Sequence, residues 1–201
     1  MSPETSRSER KKEKTRQHII SAAMRLFAEQ GLDATAMEQI AEEADVAKGT
    51  LYNYFPSKEV IVSAFVQGRL AEQGAARLQQ IHNLPDTRAR LTYIFDELVA
   101  GVQAQPEIFE RFLVYQLRQT VSLHPNQKVD GSLYTLADQI VRLGQQDGEI
   151  RADLPVDMIK DLFEFAFIEV AKHFYIAPDS FDVPKVIAWS VDLFLNGVRA
   201  P

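Results

Sequence analysis

The sequence contains no cysteine, which removes disulfides, thiolate metal ligands and cysteine nucleophiles at one stroke. It has no apolar run near the roughly 18 residues that a membrane-spanning helix requires, so no membrane partner is expected. The strict alternation of a half-buried strand is nearly missing. So are a glycine-rich phosphate loop and the strand-turn-helix elbow of a serine nucleophile. Histidine is scarce, with four residues, His18, His82, His124 and His173, scattered along the chain. Of these only His173 has a nearby acid at helical spacing, Glu169, and two ligands are more often a surface ion pair than a metal site. No catalytic residue, no metal and no cofactor is therefore expected. The basic opening segment lacks the apolar core of a signal peptide, because IISAAMRLFAEQG after it is amphipathic; a cytoplasmic protein is the expectation.

The charge that is present is unevenly placed. The net value of −6 argues at first against nucleic acid. Yet residues 1–16 hold six basic side chains against three acidic ones, while residues 59–201 hold 13 basic against 19 acidic. Residues 17–58 carry only Arg25, Lys48 and Lys58 against six acids. A basic end on an acidic body suits a small surface facing a polyanion.

Apolar spacing is helical almost throughout. A first helix is predicted over 9–30 on the face Ile19, Ala23, Leu26 and Phe27, with Gly31 as its stop. A second opens at Thr35, where Thr-Ala-Met-Glu reads as a capping box between Thr35 and Glu38. Asp45-Val46 breaks it, and a third helix covers 47–54 before Pro56. A long fourth helix is predicted from Ser57 to the neighbourhood of Pro85. Helices then follow over 86–102, 106–118, 129–146, 155–176 and 182–196, with a loop near His124-Pro125-Asn126 and a joint bracketed by Gly148 and Pro155. About nine helices and no sheet are expected, an all-α fold.

Two short helices across a tight turn, with a third packed over them, make a helix-turn-helix, whose second member must offer polar side chains outward and apolar ones inward. Lys48 to Phe55 divides in that way. Leu51 and Phe55, four apart, face a core of Ile40, Ala41 and Val46, leaving Lys48, Thr50, Tyr52 and Asn53 outside. Gly49 permits close backbone approach, and Lys58 opens the next helix, where free amides already favour an anion.

At these residues the stretch GLDATAMEQIAEEADVAKGTLYNYFPSKE resembles the DNA-binding segment of the TetR family of bacterial transcriptional regulators. Its hallmark run is present from Lys48 to Lys58, and Ile19, Ala23, Leu26-Phe27 and Gly31 match the preceding helix. The resemblance implies phosphate contacts by Thr35, Tyr52 and Lys58, and major-groove positions for Lys48, Gly49, Thr50 and Tyr54. Lys48 suits a guanine edge and Asn53 an adenine. Two departures stand out: Asp45 replaces a turn glycine and Ala47 a capping serine. The implied organisation is a basic flexible arm over 1–12, a helix-turn-helix DNA-binding domain over 13–58, and a helical ligand-binding and dimerisation domain over 59–201. The implied function is a sequence-specific repressor released from operator DNA by a small organic effector, with control by a protein partner as the alternative.

The last two predicted helices are apolar over most of their circumference, so each needs a cover on two sides. Packing them across a two-fold axis gives a homodimer, with Phe163, Val170, Phe174, Trp189 and Phe194 as candidate interface residues. Phe95, Phe112, Tyr115, Tyr134 and Phe167 are candidates to line an effector cavity, with Arg118 as a polar anchor.

Overall fold

The computed structural model describes residues 7–121 and 132–198. Ten α-helices and one short 3-10 turn make up the described chain, with no β-strand among the described residues. Contacts divide it into two compact units, one ending at Val66 and the other beginning at Gln67.

The first unit is built from α1 (Arg7–Gln30), α2 (Met37–Glu43), α3 (Lys48–Tyr54) and the opening turns of α4 (Lys58–Glu72). Helix α1 starts two residues earlier than the apolar pattern predicts, so the basic residues from Arg7 onward lie on a helix; residues 1–6 lie outside the described residues. Gly31 stops α1 at φ +85° and donates to the Phe27 carbonyl at 3.0 Å. Most of the predicted set is the core: Ile19, Ala23, Phe27, Ile40, Ala41, Leu51 and Phe55 are buried, joined by Ile61 and Val62 of α4, while the predicted Leu26 and Val46 are only half-buried.

The turn between α2 and α3 shows how the departure at Asp45 is accommodated. Asp45 adopts φ +47°, the only left-handed non-glycine among the described residues. Its amide donates to Glu42 at 3.0 Å and that of Val46 to Ala41 at 2.9 Å, which satisfies the end carbonyls of α2 in a Schellman arrangement. Aspartate tolerates this geometry better than most residues, though less well than glycine.

The second unit comprises α5 (Gly74–Asn83), α6 (Thr87–Ala104), α7 (Pro106–Thr120), α8 (Ser132–Gln146), α9 (Val156–Ile176), the 3-10 turn Pro178–Ser180 and α10 (Val183–Val198). Helix α6 is central, touching α7, α8, α9 and α10. At its middle Phe95 stacks obliquely on Phe163, 5.2 Å between ring centres, and on Phe167 at 6.1 Å. The predicted long fourth helix is in fact two. Gln73 leaves helical geometry at φ −101°, ψ 4°, where a following glycine gives the helix little support. Buried Arg77 stabilises the break by donating to the Leu70 carbonyl at 3.2 Å and to Gln73 Oε1 at 2.7 Å. Arg90 ties α5 to α6 and α8 through the Ile81 and Leu84 carbonyls and an ion pair with Asp147 at 2.7 Å. At the joint after α8, Gly144 is required sterically: a Cβ there would lie 2.7 Å from both Ile150 Cδ1 and Thr87 Oγ1. The predicted loop around His124 lies outside the described residues.

Candidate nucleic-acid interface

Helix α3 is seven residues long and is held by two anchors, Leu51 and Phe55, both fully buried. Its amide ladder starts at Ala47, whose extended backbone supplies no capping side chain. With Leu51 and Phe55 turned inward, Lys48, Gly49, Tyr52 and Asn53 are exposed and Thr50 and Tyr54 half-buried. Space around Gly49 is open, with nothing within 4 Å of where a Cβ would sit. Glu38 on α2 reaches the same face: the Tyr52 hydroxyl donates to its Oε1 at 3.5 Å and Lys48 Nζ lies 3.9 Å away. Both contacts are long and solvated, so they orient the two side chains while leaving them free to exchange partners.

Two predicted contact residues do other work. Thr35 is only 1 % exposed, and its hydroxyl donates to the Gly31 carbonyl at 2.8 Å while accepting from Gln30 Nε2 at 3.1 Å. It is not the cap of α2 either. Ala36 takes that place, one residue later than predicted, and its amide donates to Gln39 Oε1 at 2.8 Å. The pattern Ala-Met-Glu-Gln competes with Thr-Ala-Met-Glu in the sequence, and Thr35 is drawn inward by the end of α1. Lys58 Nζ donates to three backbone carbonyls of the α1–α2 connection, Leu32 at 2.8 Å, Thr35 at 2.9 Å and Asp33 at 3.3 Å. An ammonium group has three donors, and all three are spent inside the protein. Neither side chain presents a free group to a phosphate. Sequence reasoning also missed Arg16, whose guanidinium sits 5.7 Å over the Phe55 ring, and the Arg25–Glu43 pair between α1 and α2.

In the second unit the candidate effector residues scatter. Phe95, Phe112 and Phe167 are buried, Tyr115 is half-buried, and Arg118 is exposed, which removes it as an internal anchor. Tyr134 is committed to a polar clamp between α8 and α9. Its hydroxyl donates to Asp157 at 2.9 Å and its ring lies 3.7 Å beneath Lys160 Nζ, which pairs with Asp157 at 2.8 Å and Asp138 at 3.1 Å. Burial works against the Lys160 charge, but the hydrogen bonds to Asp157, Tyr134 and Asp138 outweigh it and raise its pKa. Besides Arg77, Thr87, Arg90 and Lys160, the buried polar side chains that the sequence reading did not single out include Gln116 on α7 and Glu164 on α9.

The candidate interface residues also divide. Phe163, Val170 and Phe194 face into their own unit, with Phe194 edge-on to Phe163 at 6.4 Å; this corrects the expectation for those three. Phe174 packs against Tyr175 and Phe181 at 5.2 and 5.7 Å. The large apolar side chains left outside on these helices are Met158, Leu162, Phe165 and Ile176 on α9 and Trp189 and Leu193 on α10. Glu169 accepts from Lys172 at 2.6 Å and lies 3.7 Å from His173, a surface pair rather than a wider ligand cluster. No described helix is long and apolar enough to cross a membrane.

Comparison with known proteins places this geometry. The family profile described as bacterial regulatory proteins, tetR family, matches residues 19–65, from the first buried residue of α1 into α4. The transcriptional regulator HbdR of Aromatoleum sp. (strain CIB) is 31% identical over 80% of this chain and 71% of its own length. The chain belongs to the TetR family. Its relatives also include the transcriptional repressor KstR2 of Rhodococcus jostii (strain RHA1), 26% identical over 92% of both chains. Among solved structures, the TetR-family repressor FadR of Thermus thermophilus, in complex with lauroyl-CoA, shares the fold at a TM-score of 0.70, with 21% identity over 92% of this chain and 96% of that one. The all-helical architecture with an N-terminal helix-turn-helix is thus a TetR architecture, and the protein is a TetR-family DNA-binding transcriptional regulator.

Proposed function

We propose that this TetR-family regulator is a repressor that binds a near-palindromic operator as a homodimer and is released by a small-molecule effector held in its second unit. One observation carries the reading: α3 is pinned by buried Leu51 and Phe55 while Lys48, Thr50, Tyr52, Asn53 and Tyr54 turn to its open side. Such a helix can enter a major groove with base-edge donors and acceptors at its front, Lys48 toward guanine and Asn53 toward adenine. Tyr52 contributes a phosphate contact, and Gly49 lets the backbone close on the groove wall. The domain boundary that matters for function lies within α4, near Val66, where the first compact unit ends.

The outward stripe of Met158, Leu162 and Phe165, at helical steps of four and three, supports α9 and α10 as the pairing face. Two reading heads then meet successive grooves about 34–36 Å apart. Phe95, Phe112 and Phe167 supply an apolar lining for an effector with a hydrocarbon or aromatic part. The lauroyl-CoA held by the Thermus thermophilus repressor makes acyl-CoA thioesters the first class to try. An effector favouring the non-binding form by about 1–3 kcal/mol weakens operator binding roughly 5–150-fold.

The test is selection of duplexes from a palindromic library by the full chain, followed by titration of the selected operator with short- and long-chain acyl-CoAs and simple phenols. Retention of half-sites one helical turn apart, lost on adding one ligand class, is expected. No duplex retained at low salt rejects the regulator mechanism; retention that no ligand relieves rejects the effector and turns attention to a protein partner.

A further inference from the structure

We infer that the phosphate affinity of the recognition unit comes chiefly from the projecting first turns of α1, which lay a basic stripe on the DNA flanking each half-site. This rests on the duplex-binding reading above. Of the three cations that residues 17–58 contain, Lys58 is engaged on three carbonyls and Arg25 on Glu43, which leaves Lys48, held only loosely by Glu38 at 3.9 Å. The same stretch carries six acids. A surface so charged cannot by itself draw in a polyanion.

The first eight residues of α1, by contrast, are exposed, and the first buried position is Ile19. Arg7, Arg10, Lys11 and Lys14 follow steps of three, one and three, so they share one face of the helix. No carboxylate among the described residues lies within ion-pair distance of any of the four. Glu9 falls on the far side, and Glu13, at the edge of the stripe three residues from Arg10, is engaged with Arg16 at 3.5 Å and with Gln17 at 2.7 Å. Arg16 in turn lies over the Phe55 ring at 5.7 Å, which fixes where α1 leaves the core: beside the C-terminal end of the recognition helix. From that point to Arg7 the helix projects about 13 Å at 1.5 Å per residue. The segment RSERKKEKTR has no apolar side chain, so it lacks the face a membrane-surface helix inserts into lipid. A duplex, with one phosphate charge per roughly 1.7 Å of axis, asks for nothing but cations at helical spacing.

The test uses the full-length dimer and its selected operator, with dissociation constants measured by fluorescence anisotropy from about 50 to 300 mM salt. Glutamine at Arg7, Arg10, Lys11 and Lys14 together removes four charges per protomer while keeping helix propensity. The slope of log K against log salt is expected to fall by about 3 to 7, with the ranking of operator variants unchanged. A slope within 1 of the parent overturns the inference while leaving the regulator reading intact. A parent chain that retains no duplex overturns both. Lys58→Gln supplies the second arm: weaker binding at an unchanged slope is expected of a side chain that only holds the α1–α2 connection in place. A slope lowered by about 2, one phosphate per protomer, would show Lys58 on the DNA and sink the claim that its charge is spent internally.

Discussion

The two units of this regulator bury their helices in different ways: α3 of the first turns only Leu51 and Phe55 inward, whereas α9 of the second carries apolar side chains both inside, as Phe163 and Val170, and outside, as Leu162 and Phe165. In the first, the residues that matter are polar and lie on a short helix whose inner face is fixed by only two anchors. Once Leu51 and Phe55 are placed inward, the directions of Lys48, Tyr52 and Asn53 follow without choice. In the second, the residues that matter are apolar on helices that are apolar nearly all round. A phenylalanine on α9 satisfies the same hydrophobic demand whether it faces its own unit or another copy of the chain. Periodicity says that a helix must be covered on two sides, and it does not say which side the chain itself provides.

The widest test of that contrast is Phe163→Ala. With the ring enclosed by Phe95 and Phe194, its loss is expected to cost about 3–5 kcal/mol in urea denaturation followed by circular dichroism. Should the protein keep its stability and merely dissociate on dilution, Phe163 faces a partner and its inward placement is wrong. Next in size is the complementary change, Leu162→Glu with Leu193→Glu on the exposed stripe. Sedimentation equilibrium is expected to show dimer dissociation strengthened about tenfold or more at unchanged helix content; a dimer indifferent to both charges moves the interface elsewhere.

A smaller effect sharpens the recognition unit. Asp45→Gly relieves the left-handed strain at φ +47° and is expected to stabilise that unit by up to about 1 kcal/mol in thermal or urea unfolding. Any loss of stability would mean that the aspartate side chain secures the turn. The smallest concerns the clamp between α8 and α9. The Arg142 hydrogen bond holds the Asp138 carboxyl below the ordinary carboxylate range, and the Lys160 hydrogen bond does the same for Asp157. Because these folded-state values are depressed, the stability they contribute is fully present above about pH 4 and is lost as pH falls through the lowered values. Lys160→Met is expected to flatten the acid arm of the urea midpoint measured between about pH 2 and pH 7. An acid arm as steep as the parent's would remove Lys160 from the account.

Helix order, the fold class and the orientation of α3 were all legible because periodicity, Gly31 and the run from Lys48 to Lys58 agree with one another. What escaped was set by hydrogen bonds that no periodicity encodes. Thr35 has the composition of a cap, yet the carbonyl of Gly31 and the amide of Gln30 draw it inside and leave the cap to Ala36 and Gln39. Lys58 has the position of an anion ligand, yet three nearby carbonyls compete for it more effectively. The break at Gln73 was hidden because apolar spacing continues through it; the following Gly74 and the Arg77 guanidinium, from the next turn, mark the place where the ladder fails.

The chain has a single tryptophan, Trp189, and it stands 56 % exposed on α10 with the Lys185 ammonium 4.8 Å above its ring. All indole emission of the molecule therefore originates from one known point on the proposed pairing stripe. Unlabelled protein diluted in a cuvette carries its own optical gauge of self-association: covering the indole shifts its emission to the blue, and separation of the copies returns it to the red.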